Sequence, residues 1–255
     1  MSEFLIGNEK LVYDDLGSGI PILFIPPVGL GRKFFYEQKP LTKYFRLILP
    51  DLIGQGDSKY KGESEITIAR FAKDIILLMD HLHLSSVVLF SYSSGGTIAQ
   101  YLCIHYPSRI KSLIMSGGYP IITNFPFKIE HRLGILSVRL HKKLVSNVIS
   151  IAHTKNNEYR NILKEHMYKS DSRVWSQLYV ECLHFNCKVE IKKTEIPILL
   201  LYGSQEYMLK SIIKFYKKNL KHFQLFTLKG VSHHLPTKAS SEVNQIVTGY
   251  LLSNL

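Results

Sequence analysis

The chain reads as an α/β protein: a mostly parallel central sheet flanked by helices on both faces, with a helical segment inserted between two of its strands. Three observations predict this. Apolar runs of strand length recur at residues 20–25 (IPILFI), 45–49 (FRLIL), 87–90 (VVLF), 110–115 (IKSLIM), 196–202 (IPILLLY) and 223–228 (FQLFTL), as expected of strands buried on both faces. Stretches with helical spacing separate several of these runs, the order that builds a parallel sheet with crossover helices. From residue 119 to residue 195 the alternation stops and helix-period segments rich in aromatic and basic residues take over.

Taken in order, residues 3–15 (EFLIGNEKLVYDD) give two short strands around Gly7-Asn8, a hairpin signal, and Gly17-Ser18-Gly19 turns the chain into the run at 20–25. That strand stops at Pro26-Pro27-Val28-Gly29, because prolines cannot donate to a ladder. After the strand at 45–49 comes a glycine-punctuated loop, Asp51-Leu52-Ile53-Gly54-Gln55-Gly56-Asp57-Ser58, whose aspartate is expected to cap backbone donors. Thr67 caps a helix with apolar positions Ile68, Phe71, Ala72, Ile75, Leu78, Met79 and Leu82. The strand at 110–115 ends in Ser116-Gly117-Gly118 and carries no acid, and residues 240–252 (SSEVNQIVTGYLL) form a closing amphipathic helix.

The most informative stretch is VVLFSYSSGGTIAQYL, residues 87–102. A buried strand must turn into a helix across Ser91-Tyr92-Ser93-Ser94, and so sharp an elbow is tolerated only with small residues two before and two after its tip, here Ser91 and Gly95. The tip is Ser93. Its hydroxyl is expected above the carboxyl edge of the sheet, at the positive end of the following helix, with the Ser94 backbone N–H facing any developing oxyanion.

These residues resemble the nucleophile elbow of the α/β-hydrolases, with the family's G-x-S-x-G written here as S-Y-S-S-G, and the 51–58 loop resembles its D-x-x-G-x-G-x-S. The resemblance covers the whole chain apart from the insertion. It implies a hydrolase core at residues 1–118 and 196–255 and a helical cap at 119–195 that shapes the substrate pocket. It also implies a triad in the order Ser93, Glu206, His233. Glu206 falls in Gly203-Ser204-Gln205-Glu206 where the family has G-x-x-D, and His233 falls in Gly230-Val231-Ser232-His233-His234 where the family has G-H-x. His234 is the adjacent alternative for the base. Where the family usually has His-Gly this chain has Pro26-Pro27, and by position Val28 supplies the second oxyanion N–H.

Composition limits the alternatives. With 255 residues, 45% of them hydrophobic, the chain has room for one domain and a modest insertion. The net charge of +12 raises the question of nucleic acid. The lysines are scattered, and no zinc, helix-turn-helix or RNP pattern presents them, so a solvated basic surface is expected, with an anionic substrate or carrier protein as the remaining option. No apolar run reaches membrane-spanning length and the start shows no leader pattern, which points to a soluble cytoplasmic protein with no membrane partner. Cys103, Cys182 and Cys187 form no metal pattern and are expected to be packing thiols.

The expected function is therefore that of a serine hydrolase, without metal or cofactor, cleaving a small hydrophobic or aromatic ester, thioester or lactone through an acyl-enzyme on Ser93. Two other readings stay open. One is a lyase or C–C bond hydrolase of the same fold that forms no lasting acyl-serine; the other is a ligand-binding protein with a vestigial triad.

Overall fold

The strands predicted from apolar runs assemble into one eight-stranded sheet in the computed structural model, which describes residues 1–62 and 64–254. They are β1 (Ser2–Ile6), β2 (Glu9–Leu16), β3 (Ile20–Ile25), β4 (Phe45–Pro50), β5 (Val87–Tyr92), β6 (Ile110–Ser116), β7 (Ile198–Gly203) and β8 (Phe223–Leu228), in the spatial order β1-β2-β4-β3-β5-β6-β7-β8. β1 pairs antiparallel with β2, and β2 antiparallel with β4; every other pairing is parallel. All residues of β5 and β7 are buried. Successive side chains point to opposite faces, so the sheet must be covered on both.

Two strand boundaries differ from the apolar runs by two residues. β5 continues through Ser91 and Tyr92, which pair with Met115 and Ser116 of β6, so the elbow is confined to Ser93 and Ser94. β7 begins at Ile198, after Pro197, which has no N–H to give the ladder.

The sheet order reverses direction between β3 and β5: β4 lies beyond β3 on one side and β6 beyond β5 on the other. At such a switch point the loops leaving adjacent strands diverge and open a crevice at the carboxyl ends. The helices α1 (Ile68–His81) and α2 (Gly95–His105) follow β4 and β5, and the Thr67 hydroxyl accepts the Arg70 N–H at the start of α1.

Between β6 and β7 lie three helices, α3 (Phe125–His153), α4 (Asn157–Tyr168) and α5 (Ser172–His184). Each starts on a side chain that accepts a backbone N–H, from Asn124, Asn156 and Asp171 respectively. α3 breaks at His141, whose backbone leaves helical values. The chain then closes with α6 (Lys210–Asn219), the short α7 (Leu235–Lys238) and α8 (Ser240–Asn254).

The inserted helices are fastened to the sheet by polar contacts. Asp51 accepts the backbone N–H groups of Arg32 and Asp57, 2.7 and 2.9 Å away, and pairs with the Arg32 guanidinium and with His166 Nε2 of α4 at 2.8 Å. Arg32 also reaches Asp57 at 2.8 Å, and Lys169 meets the other Asp57 oxygen at 2.8 Å. Burial would raise the Asp57 pKa, but hydrogen bonds from Lys169 and Arg32 hold it well below the ordinary carboxylate value. Asp51, Asp57 and His166 lie close enough to share a cation. The guanidinium of Arg32 already bonds both carboxylates, so these residues act as an ionic latch between α4 and the core.

Candidate active site

Ser93 sits at the crevice with φ of 50°, a left-handed value disfavoured for a residue with a Cβ. The strain is held by neighbours. Its N–H donates to the Ser116 carbonyl at 2.9 Å and its carbonyl accepts from Gly96 N–H at 2.9 Å. A Cβ on Gly95 would lie 2.4 Å from the Ile25 carbonyl oxygen, so only glycine lets α2 start this close to β3.

The other two predicted residues arrive from the carboxyl ends of β7 and β8. Glu206 is buried and follows β7; His233 follows β8 and is held as its loop folds back on the Glu206 loop, with Gln205 N–H donating to the Val231 carbonyl at 3.0 Å. A Cβ on Gly117 would lie 2.7 Å from the His233 ring, so that glycine makes room for the imidazole. His233 Nδ1 is 2.6 Å from Glu206 Oε2, and His233 Nε2 is 2.8 Å from Ser93 Oγ.

A carboxylate can only accept, so Nδ1 carries the hydrogen and Nε2 offers its lone pair to the Ser93 hydroxyl. The structure thus brings Ser93, Glu206 and His233 into one relay. His234 is not part of it. Its ring lies edge-on to His153 with centroids 4.5 Å apart, and burial drops its pKa to about 4.

Val28 and Ser94 also come together, with a feature the sequence did not announce. The Val28 N–H donates to Ser94 Oγ at 3.0 Å. The serine side chain therefore occupies a donor that the resemblance had set aside for an oxyanion. The loop around it is shaped by the inserted helices: Trp175 of α5 lies flat on Gly29, where a Cβ would fall 2.0 Å from the indole, and Ser170 Oγ donates to the Gly29 carbonyl at 2.9 Å.

A cavity of about 290 Å³ opens over Ser93 and His233. The inserted helices supply much of its wall: Phe127, Glu130, His131, Ile149 and His153 from α3 and Tyr179 from α5. Sequence reading left these unassigned, although Phe127, Glu130, His131 and later Ile149, Ala152, His153 repeat the i, i+3, i+4 spacing that places residues on one helix face. Glu130 stands at the mouth, exposed by area but surrounded enough that burial raises its pKa. A broader groove of about 620 Å³, between α5 and the segment that precedes α1, contains none of the relay residues.

Comparison with known proteins agrees with this layout. Residues 20–137 match the family described as alpha/beta hydrolase fold. The chain is 24% identical to the AB hydrolase superfamily protein YisY of Bacillus subtilis (strain 168), over 95% of this chain and 96% of that one. It is 23% identical to Lipase 1 of Psychrobacter immobilis, over 90% of this chain and 76% of that one. Among solved structures it superimposes on an esterase from Exiguobacterium antarcticum with a TM-score of 0.85 at 19% identity, covering 95% of each chain. A mostly parallel sheet with its elbow at the switch point, the family match across that elbow and the superposition on solved structures together show the α/β-hydrolase fold in this chain.

Proposed function

We propose that the chain is a serine hydrolase that cleaves a small ester, thioester or lactone through an acyl-enzyme on Ser93. The observation that carries this is the continuous relay from Ser93 Oγ through His233 to Glu206, at 2.8 and 2.6 Å. A serine hydroxyl is a weak nucleophile near neutral pH, so His233 Nε2 takes its proton as Oγ attacks the substrate carbonyl. Glu206 fixes the imidazole tautomer and stabilises the imidazolium. His233 then protonates the leaving group, and water enters by the same route to release the acid.

The oxyanion is received by the Ser94 N–H and, once the Ser94 hydroxyl turns aside, by the Val28 N–H. Each such donor contributes on the order of 3 kcal/mol in a site closed to water. α3, α4 and α5 serve as the cap: α3 and α5 complete the cavity wall, and Trp175 and Ser170 hold the loop bearing Val28. Residues 119–195 are thus the cap, and residues 1–118 and 196–255 the core.

A fluorophosphonate probe tests the reading directly. Labelling of the wild type, absent from a folded Ser93→Ala variant, is the expected result. Folded protein that resists the probe and leaves p-nitrophenyl acetate intact would instead favour the non-acylating or ligand-binding alternatives.

A further inference from the structure

The cavity is more polar than a pocket for a purely hydrocarbon acyl chain requires. His153, in the last turn of α3, is only 6% exposed, yet its Nδ1 has no hydrogen-bond partner among the described residues. The Nδ1 of His234 is likewise buried and unpaired. Both residues line the cavity, and their rings meet edge-on at 4.5 Å. Phe34 and Tyr92 pack edge-on against His153, at 5.0 and 5.8 Å between centroids, so the ring is held in one orientation.

Buried polar groups are paired in nearly all native interiors, and an exception calls for an explanation. Two such exceptions side by side in the wall of a single cavity mark a place where a ligand supplies the missing partner. Burial also keeps both imidazoles neutral near pH 7, so each presents one donor and one acceptor.

The charge of the ligand group follows from the rest of the wall. The chain has 32 lysines and arginines, but none lines this cavity, whereas two carboxylates, Glu130 and Glu206, do. An anionic group would find no cation there. We propose that His153, with His234 facing it, forms a hydrogen-bonding subsite for an uncharged oxygen function, a hydroxyl or a carbonyl, which the substrate carries beside its scissile ester.

This rests on the ester-hydrolase reading, and the experiment separates the two. kcat/KM is compared within two near-isosteric pairs, one modified in the acyl part (p-nitrophenyl β-hydroxybutyrate against p-nitrophenyl 3-methylbutyrate) and one in the alcohol (hydroxyethyl butyrate against n-propyl butyrate). In the wild type at least one pair favours the hydroxylated ester by about fivefold or more, the value of one net hydrogen bond. In His153→Phe, which suits the aromatic cage, that ratio falls to about one, and His153→Gln, which keeps a donor and an acceptor, recovers part of it.

A wild-type ratio near one in both pairs overturns the subsite, as does a ratio that survives His153→Phe. If His153→Phe does not fold, the wild-type ratio and its change in His153→Gln still decide. Absence of hydrolysis with all four esters counts against the hydrolase reading itself.

Discussion

On the proposed reading Ser93, His233 and Glu206 act as a unit, so their removal should not be additive. Ser93→Ala or His233→Ala is expected to lower kcat on p-nitrophenyl acetate by about 10³-fold or more, and the double variant by little beyond that. Glu206→Gln keeps the shape of the acid but favours the wrong tautomer of His233, and should also lower kcat steeply, by about 10²- to 10⁴-fold. Steady-state kinetics on the singles and the double check all three. Ser94 gives a more particular expectation. Because its hydroxyl holds the Val28 N–H at 3.0 Å, Ser94→Ala frees that donor, and kcat should rise about two- to fivefold, less than the worth of a full hydrogen bond. A fall in kcat would show that the hydroxyl itself serves the oxyanion.

α3 carries two histidines whose burial holds them neutral, and this ties the stability of the inserted segment to pH. Burial lowers the His131 pKa from its ordinary 6.5 to about 4, although its bond to the Phe127 carbonyl opposes the shift. Between those values the unfolded chain binds the proton and the folded chain does not. Stability is therefore complete above about pH 6.5 and is lost as pH falls toward 4, with a slope of up to about 1.4 kcal/mol per pH unit for each such histidine. Urea midpoints measured across that window should fall with acidity, and His131→Phe should flatten the slope. Asp57 is displaced in the same direction, a carboxylate held below its ordinary value, but in a more acid window, so its share of the latch persists above about pH 4 and disappears in stronger acid. Arg32 is the hinge of that latch. Arg32→Met would strand Asp51 and Asp57 without their buried counter-charge, and a loss of about 3–5 kcal/mol is expected by chemical denaturation.

At the scale of the whole molecule, protection against hydrogen exchange should be graded across the sheet. β3, β5 and β6 lie inside it with both neighbours paired, while β1 and β8 form its edges and β8 is partly exposed; the inner strands should exchange last, near the global unfolding limit. That gradient follows from a sheet that was largely legible in the sequence. Buried parallel strands write themselves as continuous apolar runs, and the elbow is legible because its tip demands Ser91 and Gly95 beside it. What could not be read are the contacts made between distant segments. Asp51 meets His166 across 115 positions, the Ser94 hydroxyl meets Val28 across 66, and no local periodicity encodes either. His153 was hidden for another reason: its helical spacing is the same whether the ring faces a core or a cavity.

The indole resting on Gly29 belongs to the only tryptophan in the chain. A single indole fluorophore thereby stands at the seam between the inserted helices and the loop above Ser93. Its emission colour and quenching by iodide or acrylamide would report, without any label, each excursion that parts those two surfaces.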